Sequence, residues 1–329
     1  MIAVEISEPG PPRVLRPTEI PAPTPGPGEI LIRVEAAGVA RADVLQRLGK
    51  YPPPPGTTNI PGLDVAGTVA ATAADAGKWK TGDRVCAVLA GGGYAEFCAV
   101  PEIQVLPIPR NWTGIEAATL PENLFTVFDN VVTRAQLQRG ETILIHGGSS
   151  GIGSMAIMLS RAWGAAPIVT AGSDSKCAAC VSLGAEHAIN YKTADFLSEA
   201  KRLTSGRGVD VILDLVGGSY LEKNINLLAM EGRLVIIATM GGSKGTLDIA
   251  TLLAKRARVL ASHMRARTPE LKGLVAERLL QQVWPLLPAK DPIRPVIDRV
   301  FPLRDAALAH EYLENSSTLG KVILSVAES

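Results

Sequence analysis

The sequence predicts an α/β fold, in which a doubly wound, parallel six-stranded sheet is joined to a second, mostly β domain. Three observations predict it. From about residue 122 onward, short runs of Val, Ile and Leu alternate with helical stretches, the pattern of a parallel sheet covered by helices on both faces. Before about residue 120, Pro and Gly punctuate short alternating runs, the texture of a β domain. The stretch Glu141 to Gly153 anchors the whole: Thr142 to Ile145 reads as a buried parallel strand, Gly147, Gly148, Gly151 and Gly153 follow at once, and Ser154 to Trp163 reads as an apolar-faced helix.

In the first part, Glu29 to Glu35 alternates cleanly, and Val65 to Ala70 and Asp83 to Val88 also read as strands, separated by turn clusters such as Pro23 to Gly28 and Lys80 to Asp83. Arg41 to Leu48 interrupts them as a helix ending near Gly49. In the second part the strand candidates are 142–146, 167–171, 187–191, 209–215, 233–239 and 258–263. Leu271 to Trp284 reads as a helix closed by Pro285, and residues 295–329 carry short strand-like runs, among them Lys321 to Val326. Six strands complete the parallel sheet, so the tail is expected to return to the first domain. The expected divisions are 1–121, 122–267 and 268–329.

Composition bounds the function. The 329 residues are 47% apolar, enough for two cores at roughly 150 residues per domain. Lys plus Arg (33) balance Asp plus Glu (32), so no global field favours nucleic acid or an anionic membrane surface. The one basic cluster, Lys255 to Arg258, reads as a solvated face. Four cysteines form no disulfide framework, and Cys177 and Cys180, though spaced CxxC, lack a second pair and read as part of a helix. No run reaches the roughly 18 apolar residues that span a bilayer, and Met1 to Glu5 lacks a signal-peptide pattern. A cytoplasmic protein with neither nucleic-acid nor membrane partners is expected.

The strand, glycine turn and helix at 142–163 form a dinucleotide-binding unit. Glycines permit the tight turn and the close approach of backbone to a pyrophosphate, which the free N–H groups of the helix start attract. The glycine spacing also fits short-chain dehydrogenases, but the Tyr-xxx-Lys pair of that family is missing: Tyr191 is followed four residues on by Asp195, and Tyr220 by Asn224.

In its ordered motifs the chain resembles the medium-chain dehydrogenase/reductase superfamily. Within it, the resemblance is to the zinc-free, zeta-crystallin-like quinone oxidoreductases, especially the tumour-suppressor-inducible branch. The stretches that carry it include Gly38-Val-Ala-Arg-Ala-Asp43, Gln46 to Gly56, Pro61-Gly-Leu-Asp-Val-Ala-Gly67, Gly91-Gly-Gly-Tyr-Ala-Glu96, Leu120-Pro-Glu122, His146 to Gly153, Asp214-Leu-Val-Gly-Gly218 and Gly320-Lys-Val-Ile-Leu324. The resemblance implies a GroES-like catalytic domain, a Rossmann domain, and a cleft between them that holds the nicotinamide. Zinc-dependent relatives carry a Cys and a His where this chain has Ala40 and Leu63. Neither side chain can ligate a metal, so no metal is expected.

The cofactor is expected to be NADPH. NAD-preferring sites place an acid about 20 residues past the glycines. Here that count lands on Ala171, Gly172 and Ser173, with Asp174 next. Ser173 offers a hydroxyl and Lys176 a charge for a 2′-phosphate, and Tyr191 falls where relatives contact the adenosine phosphate. The segment Gly148, Ser149, Ser150, Gly151, Ile152 and Gly153 is expected to cradle the pyrophosphate. By resemblance, Val216, Met240, Gly241 and Gly242 line the nicotinamide end, and Arg265 and Lys321 are further candidates for cofactor contact. Tyr51 and Thr126 are the catalytic candidates, with Tyr51 orienting a substrate carbonyl. Hydride transfer to an electron-poor quinone requires close, aligned reactants and neither a metal nor a strong acid.

The chain departs from the branch at position 40, where Ala replaces the usual Asn and removes one hydrogen-bonding group from the expected substrate pocket. The leading expectation is therefore an NADPH-dependent quinone reductase. An NADPH-dependent enone or enoyl reductase and a non-catalytic NADPH-binding protein are the alternatives. The apolar strand near 258–263, expected at the edge of the sheet, predicts a homodimer.

Overall fold

The computed structural model describes residues 1–315 and 318–326. Residues 316, 317 and 327–329 of the expected segment 268–329 lie outside that description. The described chain divides into two compact units, one formed by Met1–Phe125 with Met264–Ser329, the other by Thr126–His263.

In the first unit β1 (Ile2–Ile6) pairs antiparallel with β2 (Leu15–Glu19). The eleven-residue β3 (Glu29–Val39) is the spine of a seven-stranded sheet. Helix α1 (Arg41–Arg47) follows, then β4 (Asp64–Thr72), β5 (Arg84–Val88), β6 (Phe97–Pro101) and β7 (Val105–Pro107). Strand β3 is long enough to serve several partners. Along its length it pairs with β4, and its first half also takes β6. Helix α2 (Gly114–Ala117) begins at Thr113, whose hydroxyl accepts from the Glu116 amide while Glu116 reaches back to Thr113, a reciprocal cap. The boundary between the units falls within α3 (Pro121–Val127).

The second unit holds β8 (Thr142–Ile145), α4 (Gly151–Ala162), β9 (Ala166–Ala171), α5 (Asp174–Ser182), β10 (His187–Asn190) and α6 (Phe196–Leu203). It continues through β11 (Val209–Asp214), α7 (Leu221–Leu227), β12 (Leu228–Ile236), α8 (Ile249–Lys255) and β13 (Arg258–Ala261). All six strands are parallel in the order β10-β9-β8-β11-β12-β13, a doubly wound sheet. Leu144, Ile168, Ile212 and Leu234 form its core with Phe196 and Ile225 from the covering helices. Strand β12 starts earlier than the 233–239 run predicts. Its pairing with β11 shifts register between Leu228 and Arg233, and Glu231 there has φ of 60° next to Gly232, a bulge that apolar patterning does not reveal.

The chain then re-enters the first unit with α9 (Pro269–Gln282), β14 (Ile297–Pro302), α10 (Ala306–Glu314) and β15 (Lys321–Ser325). Strand β15 pairs antiparallel with the second half of β3, with Val322 opposite Val39. Helix α9 starts at the Thr268 cap and stops at Gln282, where Trp284 and Pro285 turn into a 3₁₀ segment. Among the described residues no helix is long and apolar enough to cross a membrane.

Candidate active site

In the second unit the strand order reverses between β8 and β11. Ligands of doubly wound sheets sit at such a switch point, outside the carboxyl ends of the strands. The chain leaves β8 through His146 into a turn opened by Gly147, whose φ of 69° favours glycine. Ser150 caps α4: its hydroxyl accepts from the Gly153 amide at 2.9 Å and donates to the Gly147 carbonyl at 2.8 Å. A Cβ at Gly153 would lie 2.2 Å from the Gly147 oxygen, and one at Gly148 would lie 2.7 Å from the Val169 Cβ. Both positions exclude a side chain for packing reasons. The Gly148 amide donates to Thr170 and the Ser150 amide to Gly147. The amides of Ser149, Gly151 and Ile152 meet no acceptor among the described residues. With the α4 dipole behind them, these donors fit the pyrophosphate of a dinucleotide.

The other expected cofactor residues of this unit cluster along the same edge of the sheet. Ser173 caps α5, accepting from the Lys176 amide at 3.3 Å, with its hydroxyl 3.0 Å from that of Ser175. Tyr191, half exposed just past β10, holds its hydroxyl against Gly172, where an added Cβ would meet it at 2.7 Å. Ser173 and Tyr191 are thus brought to neighbouring strand ends. Asp174, the nearest acid, accepts from the Asn190 side chain at 2.8 Å.

Val216 and the 240–242 turn are joined directly. The Gly241 amide donates to the Val216 carbonyl at 2.7 Å, and the Gly218 amide to that of Gly242 at 2.8 Å. A Cβ on Gly241 would clash with Val216 and Ser219. Met240 is exposed at the tip. Asp214, fully buried, braces this end by accepting from the Val216 and Gly217 amides and from Asn224. Burial raises its carboxyl to about 6.

His146 is also fully buried. It bonds Thr170 at 3.1 Å and Asn224 at 2.8 Å, and burial lowers it to about 4, so it packs as a neutral ring. Cys177 and Cys180 both lie on α5 as free thiols, raised by burial. Half-buried Thr126 accepts through its carbonyl from Asn130 at 2.8 Å, beside a π-helical turn over Phe128–Arg134. Such turns are frequent at functional sites.

In the first unit, half-buried Tyr51 lies in the loop after α1, and burial raises its phenol, which therefore stays neutral and able to donate. Arg265 stacks over its ring at 5.2 Å and donates to the carbonyls of Ala90 (2.7 Å) and Tyr51 (3.2 Å) and to Gln46 Oε1 (2.6 Å). Only 5% exposed, Arg265 acts as a brace for the Tyr51 loop, while the expectation made it a cofactor contact. Lys321 also stood as a cofactor contact. It is 3% exposed, its Nζ lying 2.5 Å from Asp64 Oδ2 and 3.0 Å from Glu122 Oε2. Burial disfavours its charge, but the two carboxylates outweigh burial and hold it protonated. Gly38 makes room for this triad, since a Cβ there would sit 2.6 Å from Lys321 Cε.

Ala40 is the N-cap of α1. Its amide donates to Asp43 Oδ2 at 2.8 Å, but its methyl offers no acceptor in return. Asp43 also takes the Gly62 amide, and burial raises it to about 6. Leu63 is buried, and among the described residues no group of three or more His, Cys, Asp and Glu side chains could hold a metal ion. Sequence reasoning missed three of these supports: Asp43, the Asn190 partner of Asp174, and Thr170 behind the glycine turn. The Asn190 and Thr170 bonds, and that of Asp43 to Gly62, join residues 16 to 24 apart without a local pattern.

Two family profiles match the chain, one described as alcohol dehydrogenase GroES-like domain over residues 26–110, the other as zinc-binding dehydrogenase over residues 151–280. A quinone oxidoreductase of Rattus norvegicus is 31% identical over 332 residues, covering 98% of this chain and 97% of that protein. Among solved structures, a mycobacterial protein complexed with NADPH is 29% identical with a TM-score of 0.86, covering 99% of this chain and 100% of that one. The CurK enoyl reductase is 29% identical with a TM-score of 0.86, covering 99% of both chains. With its fold and its ordered motifs, the chain belongs to the medium-chain dehydrogenase/reductase superfamily, in the family of the quinone oxidoreductases.

Proposed function

We propose that this protein is an NADPH-dependent, zinc-independent reductase of quinones, with the first unit as its catalytic, GroES-like part and the second as its nucleotide-binding part. The observation that carries the reading is the edge formed by the glycine turn and the start of α5. Unpartnered amides face a pyrophosphate position, and the hydroxyls of Ser173 and Tyr191 stand where an NAD site would present a free acid. Asp174, the next residue, is held on the Asn190 side chain. The mycobacterial relative complexed with NADPH supports the same choice.

When bound, the cofactor supplies the hydride. The chain's residues do the rest. Ser149, Gly151 and Ile152 amides hold the pyrophosphate, Ser173 and Lys176 take the 2′-phosphate, and the Val216 and 240–242 backbone positions the nicotinamide end. Neutral Tyr51 donates a hydrogen bond to the acceptor carbonyl, and protons for the reduced oxygens come from water. Ala40 and Leu63 put apolar groups where a metal site would need ligands. Neither Arg265 nor Lys321 is assigned a cofactor role. A homodimer through β13 is part of the proposal, since this edge strand exposes Val259 and Arg258.

The test follows absorbance during NADPH and NADH oxidation with 1,2- and 1,4-quinones, an enal, and no acceptor. Quinone turnover with NADPH preferred supports the reading, and preference for NADH overturns it. The second reading, an enone or enoyl reductase, is favoured by the likeness to the CurK enoyl reductase and by the lost polar group at Ala40, and turnover on the enal alone would select it. Binding without any oxidation would make the protein a non-catalytic nucleotide binder.

A further inference from the structure

The first unit contains a cavity of about 530 Å³, every lining residue of which belongs to that unit. That is the size of small-molecule sites, which run from about 300 to 1,000 Å³. One part of its wall is apolar, formed by Pro54, Pro55, Ile60, Leu89, Phe97 and Val100. Another part is cationic: Arg265, Arg267 and Lys272 line it against a single carboxylate, Glu29.

Lys272 is the unusual member. It is 3% exposed, on the inward face of α9, and among the described residues its ammonium has no hydrogen-bond or ion-pair partner. Buried lysines are almost always paired, because an isolated ammonium away from water is costly. Arg265 on the same wall adds repulsion, and its guanidinium is already bonded to Ala90, Tyr51 and Gln46. Glu29 is turned to its own turn, accepting from the Gly26 amide at 2.9 Å. The cavity thus joins a buried, unpartnered ammonium to an apolar surface, and an anionic head on an apolar body satisfies both.

We infer that this cavity binds a medium-chain monocarboxylate, its head on the Lys272 ammonium and its alkyl body against the apolar wall. The site needs neither nucleotide nor turnover, so its test stands apart from that of the reductase reading. Full-length protein is titrated calorimetrically with octanoate and with 1-octanol. Octanoate is expected to bind one site in the wild type. Lys272→Met is expected to weaken it at least about tenfold, the loss of one charge-assisted contact, and Lys272→Arg to retain it. The alcohol, lacking the charge, should bind the wild type and Lys272→Met alike. Circular dichroism checks that the variants fold. Independently of any variant, the ε-carbon resonance of Lys272 in the labelled wild type should move during the octanoate titration. Absence of saturable octanoate binding, equal affinity in Lys272→Met, or an unmoved Lys272 resonance would overturn the inference.

Discussion

Removing the Lys272 charge is expected to stabilise the protein. In the folded chain, burial first and Arg265 second lower this lysine from 10.5 to about 8. In the unfolded chain it returns to its ordinary value. A folded-state value below the unfolded one means that protonated Lys272 opposes folding, and the penalty is complete wherever both states are charged, below about pH 8. At about 1.4 kcal/mol per tenfold change in proton affinity, it amounts to about 3 kcal/mol. As pH rises from the folded value toward 10.5, the folded protein sheds the proton first and the penalty fades, to about 1.4 kcal/mol near pH 9.5. Lys272→Met keeps the apolar stem and removes the charge. Urea denaturation without added anion should therefore find the variant about 3 kcal/mol more stable than wild type near pH 7, and the gap should narrow by about half near pH 9.5. A variant equal to or less stable than wild type near pH 7, or a gap independent of pH, would refute the reasoning, because either means that the ammonium is compensated in the folded state.

Three further outcomes follow from the geometry. Gly153→Ala forces a Cβ onto the Gly147 carbonyl, so it should cost about 1–3 kcal/mol in stability and weaken NADPH binding at least about tenfold, read by nucleotide fluorescence and thermal melting. Lys321→Met strands the buried Asp64 carboxylate and the Glu122 beside it. It should destabilise by about 3–5 kcal/mol in denaturant melts, the cost of breaking a buried pair from one side. Ala40→Ser supplies the missing acceptor at the α1 N-cap and should raise stability by about 1 kcal/mol, measured by the urea midpoint.

What could be read from the chain alone divides along the range of the interactions. The unit from β8 to α4 was legible to within a few residues because its determinants are consecutive: an apolar β-branched strand, glycines, then an uninterrupted helix. The start of β12 was not, because a bulge at Glu231 and Gly232 hides strand residues behind a sequence that reads as a turn. The pairing of Lys321 is hidden for a related reason. A lysine after Gly320 at a strand start looks like a ligand-binding cation, and its partners Asp64 and Glu122 lie on segments far away in sequence, so nothing local signals that its charge is spent.

Lys272 is the opposite case. Its neighbours on the buried stripe of α9 are Val275, Ala276 and Leu279, at the spacing of one helical face. A single charged residue in that register, with no acid among the described residues placed to meet it, violates the apolar pattern of its own helix. Sequences break such a pattern at sites of function more readily than at sites of packing, since packing alone would be served better by methionine or leucine at this position. A charge that the fold would be more stable without requires a reason outside the fold, and the cavity beside it supplies one.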